Sequence, residues 1–166
     1  NMRRYIAFGT IAVLVGTMFS ACGRNNVRTD TTQQYIGYWE CTGLVVNGVD
    51  QGDSFQDSGI PLYTFYNLTL GNDNKGTLAS PMSAFGGDEE EIHYFTWESD
   101  ENGVDLKGDD SSDNLRLSSE DGKLVMSESN DGKTLEVYFS KVDELSTFDF
   151  ASWAEQSYST ESSKGE

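Results

Sequence analysis

The chain holds one histidine, two cysteines, and 11 Lys and Arg against 28 Asp and Glu. Each shortage removes a class of chemistry. With His93 alone, any Ser-His-Asp or Cys-His arrangement would have to use that residue. Its neighbours on the same face of the segment, Phe95 and Trp97, are aromatic, and no Gly-x-Ser-x-Gly elbow occurs. The same scarcity of His and Cys disfavours a zinc site, and glycine-rich phosphate loops are absent. A formal charge of −17 repels a phosphate backbone, which sets nucleic acid aside as a partner. It also disfavours docking on anionic lipid headgroups. What the charge permits is solubility, long-range attraction of a cationic protein or envelope polymer, or loose binding of divalent cations.

A short apolar run is present at the start. Met2-Arg3-Arg4 precedes apolar residues from Tyr5 to Phe19, followed by Ser20-Ala21-Cys22. A basic start, a short hydrophobic middle and small residues before a cut describe a secretory signal peptide over 1–21. The cysteine directly after the small residues resembles the lipobox of bacterial lipoproteins. That resemblance implies that Cys22 is lipidated and becomes the new N-terminus, anchoring the protein on the extracytoplasmic face of the cell membrane. Two other readings stay open. A retained membrane span would need about 20 predominantly apolar residues, and this run contains Gly9, Gly16 and threonines. An ordinary signal peptide would leave Cys22 as a structural thiol. If Cys22 carries lipid, Cys41 has no partner and the fold has no disulfide.

Residues 23–34 are polar and non-periodic, a tether of at most about 40 Å at about 3.3–3.6 Å per residue. Beyond them, 35–142 reads as strands and turns. Asn47-Gly48, Asn102-Gly103, Asp121-Gly122 and Asp131-Gly132 are hairpin signals, because type I′ turns need positive φ. Between them apolar residues alternate: Leu135, Val137 and Phe139 on one face, Leu115 with Leu117, Val104 with Leu106, and His93, Phe95 and Trp97 opposite Tyr94, Thr96 and Glu98. Strands are expected at 36–46, 61–70, 76–81, 91–98, 103–107, 113–118, 123–128 and 133–141. About eight antiparallel strands close into an up-and-down β-barrel, with a two-sheet sandwich as the alternative. In 143–166, Asp149 can cap a short helix placing Phe150, Trp153 and Ala154 on one face, ahead of a Ser/Glu/Gly-rich end expected to be disordered.

Gly37-Tyr38-Trp39 matches the Gly-x-Trp of lipocalins. Asn47-Gly48, Gly76-Thr77, Phe95-Thr96-Trp97, Asp121-Gly122-Lys123-Leu124 and Phe139-Ser140-Lys141 follow in order. Residues 35–141 thus resemble the lipocalin-like domains of small lipoproteins from Firmicutes-type bacteria. The resemblance implies a calycin-type barrel, a tryptophan (Trp39) plugging its closed end, and a C-terminal helix packed on the barrel wall.

These readings point to a membrane-anchored binding module and not to an enzyme, with no cofactor and no metal. A barrel open inside would take a small, largely apolar ligand through Trp39, Cys41, His93, Phe95 and Trp97. The small inward set Trp39, Cys41, Gly43 and Val45 would leave room for it. The alternative is a filled barrel whose acidic loops meet a cationic protein or polymer. Asp88-Glu89-Glu90-Glu91 and Asp109-Asp110 with Asp113 could offer oxygens to calcium, but neither fits an Asp-x-Asp-x-Asp-Gly loop and Asn72–Gly76 only grazes it, so both read as solvated loops. Nothing selects a carboxylate pair for glycoside cleavage.

Overall fold

Alternating strands joined by tight turns have one economical closure, and the chain adopts it. The computed structural model describes residues 32–85 and 89–162, the side chains of 160–162 excepted. The leader, Cys22 and Asp88 lie outside them. The strands are β1 (Gly37–Val46), β2 (Val49–Asp50), β3 (Asn67–Leu70), β4 (Lys75–Ser80), β5 (Glu91–Asp100), β6 (Gly103–Lys107), β7 (Leu115–Glu120), β8 (Lys123–Asn130) and β9 (Lys133–Val142). Two helices, α1 (Gly52–Ser58) and α2 (Phe150–Ser162), accompany them. Neighbouring strands pair antiparallel in the order β2-β1-β3-β4-β5-β6-β7-β8-β9, and β1 also pairs with β9. β2 is a two-residue flap on the end of β1. The remaining eight strands form a closed antiparallel barrel, as expected and compatible with a lipocalin-like fold. Closure leaves no long strand edge unpaired.

The turns follow the sequence with one exception. Asn47 and Gly48 (φ 50° and 78°), Asp121 and Gly122 (48° and 78°) and Asp131 and Gly132 (50° and 76°) have positive φ at both central positions, as type I′ turns require. Asn102-Gly103 does not, because only Gly103 is positive there, at 155°. The turn sits one residue earlier, where the Asp100 carboxylate accepts the Asn102 N–H at 2.7 Å, and Gly103 is the first residue of β6.

Three further departures shape the interior. Residues 61–66 are not strand: Leu62–Thr64 is a 3-10 turn behind Pro61, whose carbonyl accepts the Thr64 hydroxyl at 2.7 Å. α1 adds a seven-residue helix where only strands and turns are expected. In β1 the pairing with β9 shifts between Cys41 and Gly43, so Thr42 is an extra residue. This bulge reverses the alternation. Trp39 and Cys41 face the core, but beyond the bulge Leu44 and Val46 do, while Gly43 lies against Tyr138 on the outer face. The inward placement expected for Gly43 and Val45 is therefore corrected: the bulge moves both outward.

One end of the barrel is packed solid. Trp39, Cys41, Trp97, Leu117, Leu124 and Phe139 are buried there. The Trp39 indole N–H donates to the Tyr35 carbonyl at 2.9 Å, and that of Trp97 to the Gly71 carbonyl at 3.0 Å. Buried indoles find partners in this way because an unpaired N–H would be costly.

The C-terminal segment climbs the outer wall. Its Ser146 N–H donates to the buried carboxylate of Glu40, and its Thr147 carbonyl accepts the Tyr63 hydroxyl at 3.1 Å. In α2, Phe150 and Trp153 pack on Phe85, and the Trp153 indole N–H donates to the Ser58 carbonyl at 2.8 Å. The helix thus ties together the β1–β3 and β4–β5 connections. Among the described residues no helix is long and apolar enough to cross a membrane.

Asp149 caps α2 as its position predicts. Its carboxylate accepts the Ser152 N–H at 3.0 Å and the Ser152 hydroxyl at 2.8 Å, which hold it below the usual carboxylate range. A carboxyl whose folded pKa is lowered stabilises the fold above its ordinary pKa, and that contribution disappears as pH falls through the lowered value. Acidification below the ordinary aspartate value of 3.8 is therefore expected to release α2 before the barrel opens. In amide-correlation NMR the Trp153 indole signal should shift toward its free position while those of Trp39 and Trp97 hold. Asp149→Ala should show the released signal at neutral pH.

Candidate functional site

The other end of the barrel is hollow. β5 enters the fold from that end, and its alternation sends Glu91, His93, Phe95 and Trp97 inward in turn. The first three line a cavity of about 670 Å³, while Trp97 lies below it in the packed core. Phe95 can lie across β4 because its cross-strand partner is Gly76, where a Cβ would stand 2.6 Å from the ring. The floor and inner wall are apolar: Leu78 from β4, Leu106 from β6 and Met126 from β8 are buried, with half-buried Phe95 and Leu115 beside them. The 3-10 turn at 62–64 delivers Tyr66 to the wall.

Carboxylates ring the mouth. Glu91 and Glu128 stand on β5 and β8, while Asp109, Asp110 and Asp113 come from the β6–β7 connection. His93 Nε2 lies 3.0 Å from Glu91 Oε1, with the imidazole a quarter exposed. Burial first, then the charges of Glu128 and Glu91, push the Tyr66 phenol above its ordinary value. Among the described residues no lysine or arginine lines the cavity. The two bases that flank the acidic connection are engaged elsewhere: Lys107 with Glu98 at 2.7 Å, and Arg116 with Asp100 at 2.8 Å and Asp105 at 3.0 Å.

Of the residues expected to touch a ligand, the structure brings His93 and Phe95 together on the cavity wall. Trp39, Cys41 and Trp97 point into the barrel but belong to the packed end. Burial pushes the Cys41 thiol up to about 12, so it stays protonated and inert at neutral pH. Cys22 lies outside the described residues. Sequence reasoning missed Tyr66, Leu78, Met126 and Glu128 as wall residues. The alternation that placed His93 inward also places Leu78 and Met126 inward, since Leu78 pairs with His93 across β4–β5. What it lacked was which end of each strand lies at the mouth.

The acidic segments hold no metal-like geometry among the described residues. Asp73 accepts the Lys75 N–H at 3.1 Å, and Asn74 takes φ 62°, which makes 71–75 a tight turn between β3 and β4. No protein-family model matches the chain, and no curated protein matches it in sequence.

Proposed function

We propose that this protein is an extracytoplasmic, lipid-anchored binding module, lipocalin-like in kind, whose barrel holds a small molecule with a substantial apolar portion. The single observation that carries this reading is the half-open cavity of about 670 Å³ with its apolar floor. It falls within the roughly 300–1,000 Å³ typical of small-molecule sites, and it joins an apolar floor to a polar, carboxylate-rich mouth. A barrel filled along its whole length, the alternative, would offer no such space. The inert Cys41, and the pairing of His93 with Glu91 and not with a nucleophile among the described residues, support binding over catalysis. Anchoring rests on the leader and Cys22 as read in the sequence.

The test uses His93, the only histidine of the chain, as a reporter inside the cavity. The full chain, processed by a bacterial host and held in phosphatidylcholine bicelles, is titrated with 1-hexanol while the imidazole resonances are followed. Saturable shifts are expected. Leu115→Trp, which places an indole in the hollow, should weaken binding by roughly tenfold or more while leaving the unfolding midpoint near that of the parent chain. Shifts that never saturate, or that survive this substitution unchanged, would overturn the reading.

A further inference from the structure

Resting on that reading, we infer that the ligand is a cationic amphiphile: a small molecule with an apolar body of aliphatic or aromatic carbon and one protonated amine or quaternary ammonium group. The cavity divides by chemistry along its depth. Its lower part, Leu78, Leu106, Met126 and Phe95, offers nothing to a charge. Its mouth presents carboxylates from three separate parts of the fold, the start of β5, the β6–β7 connection and β8. Among the described residues no lysine or arginine lines the wall, and Lys107 and Arg116, which flank the acidic connection, are held by Glu98, Asp100 and Asp105.

Like charges gathered around a low-dielectric hollow focus their field into it. Tyr66 senses that field, because Glu128 and Glu91 add to burial in disfavouring its phenolate. The potential that opposes an anion at Tyr66 favours a cation at the same depth. A carboxylate-headed lipid or fatty acid would meet repulsion at the mouth and find no lysine or arginine among the described wall residues. A neutral apolar molecule would gain the floor alone, and a bare cation the mouth alone. Only a ligand with both parts uses the whole cavity, and His93 beside Glu91 stands where the two regions meet. The ring of Tyr66 adds a face that a cation can approach.

The experiment compares hexylamine, 1-hexanol, hexanoate and methylammonium on the full chain in phosphatidylcholine bicelles at neutral pH, again with His93 as the reporter. The amine is expected to bind roughly tenfold tighter than the alcohol, with hexanoate weaker than the alcohol. Methylammonium, lacking the apolar body, should be weaker than hexylamine by at least about tenfold. Raising salt should shrink the gap between amine and alcohol, since the carboxylates at the mouth are exposed to solvent. So should the combined Asp110→Asn and Asp113→Asn variant. Asp110 also caps the turn that follows it, accepting the Ser112 N–H at 3.4 Å. Glu128→Gln, on a different strand, therefore serves as the second variant and should narrow the same gap. Equal binding of amine, alcohol and carboxylate, or preference for the carboxylate, would overturn the charge assignment and leave the binding barrel standing. No saturable effect from any of the four would overturn the binding barrel and this inference with it.

Discussion

Trp97→Ala is expected to cost about 3–5 kcal/mol of unfolding free energy, as large aromatic deletions in packed cores do. The indole is only 1% exposed and is among the largest fully buried side chains of the barrel. Its loss would empty the packed end just below the existing hollow, and the surrounding strands are closed into a ring that cannot collapse inward freely. Three hydrogen bonds converge on the residue. Its indole N–H donates to the Gly71 carbonyl at 3.0 Å, its backbone N–H to the Asn74 carbonyl at 2.9 Å, and its own carbonyl accepts from the Asn74 side chain at 3.4 Å. Only the first depends on the side chain. Trp97→Phe keeps most of the packing and removes one of two donors to the Gly71 carbonyl, which still accepts the Asn74 N–H at 3.2 Å, so its cost should be smaller, about 1–3 kcal/mol. Domains of this kind have about 5–15 kcal/mol in all. The alanine variant should therefore lie close to the folding limit and the phenylalanine variant well inside it. Urea unfolding of both, followed by circular dichroism, checks the order. Equal midpoints for Trp97→Ala and the parent would mean that the packed end is not the main source of stability.

The contrast between Trp97 and His93 also marks how far the sequence could be read. Both were placed inward by period-2 alternation along β5, and both are. The three turns with Asn or Asp before Gly fell where type I′ geometry needs them, and with them came the order of the hairpins. Alternation says inward or outward and nothing about depth, so Trp97 and His93 looked alike, although one is packed on all sides and the other faces a hollow. Depth depends on where each strand starts relative to its neighbours, which is register and not pattern. The bulge at Thr42 was invisible for a related reason. Cys-Thr-Gly-Leu-Val-Val carries no mark of an extra residue, and the shift is imposed by the partner strand, where Tyr138 covers Gly43. α1 was unreadable too: Gly-Asp-Ser-Phe-Gln-Asp-Ser offers a single apolar anchor, Phe55. That ring meets Phe65 edge-on at 6.3 Å, a contact made across the loop. Asn102-Gly103 does mark the β5–β6 hairpin, but its central residues are Glu101 and Asn102 without positive φ, and the Asp100 carboxylate accepts the Asn102 N–H.

Gly103→Ala should destabilise by about 3 kcal/mol, at the upper end of what overpacking a core usually costs. A methyl at this position would stand 2.0 Å from the Leu117 carbonyl oxygen and 3.1 Å from the Ser118 Cα, all backbone atoms of β7. A side chain could swing aside, but a paired strand cannot. Gly103 is directly opposite Ser118 in the ladder, and its φ of 155° is one that side chains rarely adopt. Gly132 is the control. Its φ of 76° asks only for the left-handed conformation, and a Cβ there meets nothing within 4 Å. Gly132→Ala should therefore cost only about 1–2 kcal/mol. The two substitutions differ in consequence as well as size. To admit the methyl, β6 must move away from β7. The same pair of strands carries Leu106 opposite Leu115 at the far end, and both line the cavity. Gly103→Ala should thus weaken hexylamine binding measured at His93 in molecules that remain folded, whereas Gly132→Ala, in the β8–β9 turn beyond Glu128 and outside the cavity lining, should leave it unchanged. Loss of stability without loss of binding would mean that the strain stays at the closed end. Loss of both would mean that the barrel transmits strand displacement along β6 to the mouth, as a closed ring of paired strands with no free edge is expected to do.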